Sequence, residues 1–129
     1  MTYFASNCDR LQKVEVLNST QNTTLLRAFE NCYNLETVII DTPSVTTMDS
    51  MFGTIYNLKS IPKLDCSSNT KMPSFYSTCL KELGIKNLSV AANISNLRWV
   101  TRNDIVNILH GLSILTTAKT LTLGATNLN

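Results

Sequence analysis

The sequence predicts an α/β fold: a leucine-rich-repeat solenoid with parallel strands, about four coils of ~23 residues, closed by a C-terminal helix and strand. Three observations predict it. Phenylalanines recur at Phe4, Phe29, Phe52 and Phe75, spaced by 25, 23 and 23 residues. A similar run of Cys, Leu and Val or Ile follows most of them. Within these runs, apolar residues alternate at strand spacing, as in Val14-Glu15-Val16 and Val38-Ile39-Ile40. A period in this range marks a unit that cannot bury its apolar face alone and must stack on its neighbours.

In the first copy, Phe4, Cys8, Leu11, Val14 and Val16 lead into a strand with Val14 and Val16 facing inward and Glu15 outward, because strand side chains alternate between faces. The second copy repeats this as Phe29, Cys32, Leu35, Val38 and Ile40, with Leu25 ahead of the phenylalanine. The first copy is one residue longer than the second between Phe and Leu. The third copy runs through Met48, Phe52, Leu58, Ile61 and Leu64, with Ile55 or Tyr56 where a Cys is expected. Its strand is interrupted by Pro62, which has no N–H to donate. The fourth copy holds Met72, Phe75, Cys79, Leu80, Leu83 and Ile85. Parallel stacking would place the strands about 4.8 Å apart, with ladders of Phe, Leu and Ile in the core.

The period breaks after about Asn96. Residues 1–96 read as the repeats and 97–129 as a capping helix and strand of the same domain. Thr101 is placed to cap a helix N-terminus, with Asp104 near the positive end of the helix dipole. Ile105, Ile108, Leu109, Leu112 and Leu115 follow as one apolar stripe, weakened at Gly111. Thr120-Leu121-Thr122-Leu123 alternates as a last strand, and Trp99 is expected to pack at the junction.

At 129 residues the chain has room for one domain with a real core. Its net charge of +2, without a basic run, points to no nucleic-acid partner. No apolar run reaches the roughly 18 residues of a membrane span, so no membrane insertion is expected. Met1-Thr2-Tyr3-Phe4 shows no basic leader and no long apolar run, hence no signal peptide. Either the protein is cytoplasmic or, as the repeat already under way at Phe4 favours, the sequence is a piece of a longer chain.

Little in the sequence suggests catalysis. Cys8, Cys32 and Cys79 stand at near-equivalent repeat positions and, with Cys66, are expected as small core residues in preference to disulfides, a metal site or a nucleophile. His110, the single histidine, is expected at or near the surface of the helix. No nucleophile elbow, zinc-protease, phosphate-loop or dinucleotide motif is present, and the acidic residues are dispersed. No cofactor is called for. The phenylalanines read as a core ladder and not as stacking platforms for bases. Sequons begin at Asn18, Asn22, Asn87 and Asn93, as expected in a chain rich in Asn and Thr.

The stretch Ala28-Phe29-Glu30-Asn31-Cys32-Tyr33-Asn34-Leu35-Glu36-Thr37-Val38 resembles the repeat of the BspA-like leucine-rich-repeat family. Val45-Thr46-Thr47-Met48-Asp49-Ser50-Met51-Phe52, followed by Asn57-Leu58-Lys59-Ser60-Ile61-Pro62, resembles that family's Met-Phe variant. The likeness runs from residue 1 to about 88. Residues 118–128 are similar to the ends of repeat proteins of gut bacteria and their phages. The resemblance implies a non-enzymatic binding or adhesion module of a bacterial surface or secreted protein, extracellular or at the cell surface. The alternative it leaves is a structural component of a phage or prophage tail-type assembly in a virion.

Stacked strands present their outward positions as one extended face. Here that face would carry Lys13, Glu15, Thr37, Ile39, Lys59, Lys63, Glu82 and Gly84. Its charges are mixed and it holds no aromatic cluster. The expected ligand is a protein or a glycan, and a plain solvated sheet face is the competing reading.

Overall fold

The computed structural model describes residues 2–18, 20–41, 43–71, 73, 75, 79–88, 90–94, 101–110 and 120–122. Strands β1 (Lys13–Leu17), β2 (Thr37–Asp41), β3 (Ser60–Asp65) and β4 (Glu82–Lys86) pair in parallel, in chain order, as one sheet. Alternation sets their faces. In β1, Val14 and Val16 are buried while Lys13, Glu15 and Leu17 are exposed. In β2, Val38 and Ile40 are buried between half-exposed neighbours. The register then aligns Val14 with Val38, and Val16 with Ile40, Leu64 and Ile85. One face of the sheet therefore becomes a continuous apolar layer, as an α/β fold with parallel strands requires. Helix is scarce: α1 (Arg102–His110) is the helix among the described residues.

A second set of backbone bonds ties the segments together away from the strands. The N–H groups of Leu25, Arg27, Phe29 and Asn31 donate to the carbonyls of Thr47, Asp49, Met51 and Gly53. Those of Tyr3, Ala5 and Asn7 donate to Leu26, Ala28 and Glu30. Between these residues, Ala28, Glu30 and Cys32 donate locally, three residues back. This alternation requires positive φ at matching places: Tyr3, Arg27 and Ser50 in one row, Asn7, Asn31 and Thr54 in the next. Non-glycine residues resist that region, asparagine least. The cost is offset because every second N–H is turned toward the neighbouring segment. Isolated bridges Thr24–Thr47 and Thr47–Lys71 extend the same ladder.

Between the two ladders lies the core. Phe29, Phe52 and Phe75 stack in a row, with centroids 6.5 and 5.6 Å apart. Leu25 and Met48, Leu35, Leu58 and Leu80 are buried around them. Phe4 departs from the expected ladder and is 56% exposed. The backbone bonds set Ala5 opposite Ala28, and the 24-residue offset puts Ala5, not Phe4, in the Phe29 row. The extra residue counted in the first copy is this one-residue displacement. The position shared by Ile55 and Tyr56 is settled in favour of Ile55, which is buried like Cys32, while Tyr56 is exposed.

Pro62 does not end β3. The strand runs through it with a bulge: Ile61 aligns with Leu83, but Leu64 aligns with Ile85, so β3 spends one residue more than β4. The bulge presses the Pro62 carbonyl toward β4 at Gly84. A Cβ on Gly84 would lie 2.2 Å from that oxygen, so only glycine fits.

The helix begins as expected. Thr101 Oγ1 accepts from the Asp104 N–H at 3.2 Å, and the Asp104 carboxylate accepts from the Thr101 N–H at 2.8 Å and from its hydroxyl. This reciprocal cap buries Asp104. Ile108 is fully buried and Ile105 half-buried, but Leu109 lies on the exposed side, outside the expected stripe. His110 is exposed at the helix end. The last strand, β6 (Leu121–Thr122), pairs in parallel with β5 (Ala92–Asn93), an element the sequence reading did not contain. Trp99, Met72, Gly111, Leu112, Leu115 and Leu123 lie outside the described residues.

Candidate ligand-binding surfaces

The outward side of the sheet gathers the residues expected there. Lys13, Glu15, Thr37, Ile39, Lys63 and Glu82 lie on β1 to β4, and Lys59 immediately precedes β3. Their charges are matched, within one strand or between neighbouring segments. Lys13 Nζ lies 2.5 Å from the Glu15 carboxylate, and Lys59 Nζ lies 2.7 Å from that of Glu36. Lys63 pairs with Asp41, and the Ser60 hydroxyl donates to Glu82. Ile39 is half-buried between Glu15 and Lys63 in register. Exposed pairs of this kind contribute only about 0–1 kcal/mol each. They leave opposite charges side by side, so the face carries no single-sign field.

A different feature lies on the rim where the chain enters the strands. Tyr33 and Tyr56 each precede a strand by four residues and are 41% and 63% exposed. Their rings are nearly parallel, with centroids 6.0 Å apart and planes 9° apart. The local sequence explains the placement. Cys32 and Leu35 are buried on either side of Tyr33, as Ile55 and Leu58 are around Tyr56, so the tyrosine between them is turned outward. The asparagine that follows each tyrosine pins the loop. Asn34 Nδ2 donates to the Asp9 carbonyl at 2.6 Å, and Asn57 Nδ2 donates to the Tyr33 carbonyl at 2.9 Å.

Beside Tyr56 opens a cleft of about 320 Å³, lined by Glu30, Ser50, Gly53, Thr54, Ile55 and Tyr56. The positive φ of Ser50 and Thr54 shapes its wall. The Glu30 side chain lies across Gly53, where a Cβ would come within 3.6 Å of its Cγ. Arg27 Nη1 approaches the Glu30 carboxylate at 3.9 Å and donates to the Tyr3 hydroxyl at 3.3 Å. Sequence reasoning passed over this pair of tyrosines. The signal was available, since Tyr33 and Tyr56 are 23 residues apart, each directly after an inward-facing residue.

Among the described residues, no disulfide joins Cys8, Cys32, Cys66 or Cys79. Cys32 and Cys66 are buried, and Cys32 packs against Ala5, its Sγ 2.9 Å from the Ala5 carbonyl. Cys8, at the same repeat position, is exposed, contrary to its expected core role, because among the described residues no preceding segment covers it. Burial pushes the Cys66 thiol up to about 12 and raises that of Cys32, so both stay protonated at neutral pH. Thiols held in that form are poor nucleophiles and poor metal ligands. Among the described residues, no group of His, Cys, Asp and Glu is placed to hold a metal ion, and no helix is long and apolar enough to cross a membrane.

Comparison of the chain with family models, with characterised proteins and with solved structures yields no match.

Proposed function

We propose that the chain is a leucine-rich-type solenoid that serves as a non-enzymatic binding or adhesion module of a bacterial surface or secreted protein. The four parallel strands repeating at the sequence period, with the Phe29–Phe52–Phe75 row behind them, support the solenoid. The supporting observation for binding is the outer surface that this stacking leaves, with paired charges on the strand face and aromatic rings on its rim. Such surfaces suit extended protein or glycan ligands.

The test is a binding screen of the purified protein against mucin, extracellular-matrix proteins and glycan arrays. A Glu15→Lys plus Ile39→Asp double variant reports on the strand face. Binding is expected from the native protein with its circular dichroism preserved in the variant. Absence of binding to every ligand class would overturn the adhesion reading.

A second reading, assembly into a virion or tail-type particle, is favoured by one observation. Strand β1 is an edge of the sheet, and Tyr3, Phe4 and Leu17 are exposed in its segment. Unpaired edges with apolar neighbours favour strand addition by another copy. Light scattering that shows concentration-dependent oligomers, abolished by Leu17→Lys, would support this reading over the first.

A further inference from the structure

The geometry points to a saccharide site on the rim, at the stacked Tyr33–Tyr56 pair and the adjoining Glu30 cleft, that takes a neutral glycan. This rests on the binding-module reading and assigns it a place and a ligand class.

Four features converge. The tyrosine rings are exposed and stacked nearly parallel, and asparagine side chains hold the backbone of their loops. A pre-positioned tyrosine offers a large flat face at little cost in side-chain entropy. The axial C–H face of a sugar ring can lie on such a face while its hydroxyls stay free. Adjoining Tyr56, the cleft is lined by Glu30, whose side chain lies against Gly53, and by Ser50 and Thr54. A carboxylate is an acceptor with several lone-pair directions, and hydroxyl-to-carboxylate bonds are stronger than neutral ones. Neighbouring sugar hydroxyls are donors at a spacing that one carboxylate can receive.

The size and sign of the site narrow the ligand. A volume of about 320 Å³ is at the small end for binding pockets, suited to a sugar unit and too small to enclose a folded partner. Three of the lining residues, Glu30, Ser50 and Thr54, are polar, against Ile55 and Tyr56, so an apolar peptide anchor would leave polar groups unmatched. The carboxylate of Glu30 repels anionic ligands, which favours neutral sugars over sialylated or sulfated ones. Arg27 Nη1 lies 3.9 Å from the Glu30 carboxylate, beyond hydrogen-bond range, and donates to the Tyr3 hydroxyl.

The experiment uses the whole chain. Neutral oligosaccharides of hexose and N-acetylhexosamine, a sialylated analogue and a set of unmodified peptides are titrated by calorimetry and by saturation-transfer NMR. Binding of a neutral oligosaccharide is expected, weakened about tenfold or more by Tyr56→Ala. Tyr56→Phe, which keeps the ring, should retain most of it, and Glu30→Gln should weaken it several-fold. The Glu15→Lys plus Ile39→Asp variant should bind the sugar as the native chain does. Tyr56 is exposed, so its variants are expected to fold, which circular dichroism checks. Sugar binding unchanged in Tyr56→Ala, or binding only of peptides, would overturn the site. No sugar binding, together with a protein ligand lost in the strand-face variant, would overturn it and leave the binding-module reading standing.

Discussion

At the scale of single residues, the most informative side chains are those whose surroundings contradict their usual chemistry. Cys66 is a thiol made inert by burial. Its proton is held to about 12 in the folded chain, against 9.0 as the ordinary value. The folded state therefore keeps a proton that the unfolded state gives up. Stability from this group is fully present below pH 9 and is lost as pH rises from 9 toward 12. Urea midpoints measured between pH 8 and pH 11 should fall, and Cys66→Ala should flatten that fall while lowering stability at pH 8. An unchanged slope in the variant would assign the alkaline loss to other groups. Tyr33 and Tyr56 show the opposite case: large aromatic groups left outside, when burying them would have been favourable. Their loops, pinned by Asn34 and Asn57, leave them no route inward.

At the scale of elements, β3 is the irregular strand, and its irregularity determines its neighbour. Pro62 cannot donate to a ladder, and the chain accommodates it as a bulge that adds a residue between Ile61 and Leu64. The bulge leaves the Pro62 carbonyl where a side chain of β4 would begin. Gly84→Ala should therefore destabilise the protein by about 1–3 kcal/mol, the usual cost of overpacking, although alanine is ordinarily tolerated in strands. Chemical denaturation measures it, and a neutral result would show that β3 and β4 can slide apart at no cost. Helix α1 was legible because its start is a local device. Thr101 and Asp104 bond each other within one turn, independent of anything distant. Leu109 was misread because helical spacing marks a stripe but not its width, and packing against the sheet takes only the side bearing Asp104, Ile105 and Ile108.

At the scale of the whole molecule, stability resides in contacts between segments. Phe52 stacks on Phe29 and on Phe75, so it joins three segments at once. Phe52→Ala should cost about 3–5 kcal/mol and lower the cooperativity of unfolding, since it breaks two ring contacts that join three segments. A single sharp transition with a small loss would mean that the segments are less interdependent than the ladder suggests. The outer surface follows the same logic at lower energy: Lys59–Glu36 and Lys63–Asp41 each bridge adjacent segments at the repeat spacing.

The division between what was and was not legible follows from range. Sequence alone determined the period, the inward positions of β1 and β2, the phenylalanine row from Phe29 to Phe75 and the helix cap, because each depends on residues a few places apart or on repetition of one pattern. Tertiary structure decided the rest. It set Phe4 one place out of register and chose Ile55 over Tyr56 for the core. It also let β3 pass through Pro62, gave Ala92–Asn93 a partner in Leu121–Thr122, and brought Tyr33 against Tyr56 beside Glu30. Those outcomes depend on which backbone groups meet across neighbouring segments. A hydrogen-bonded register is a property of two segments together, and neither segment's sequence contains it.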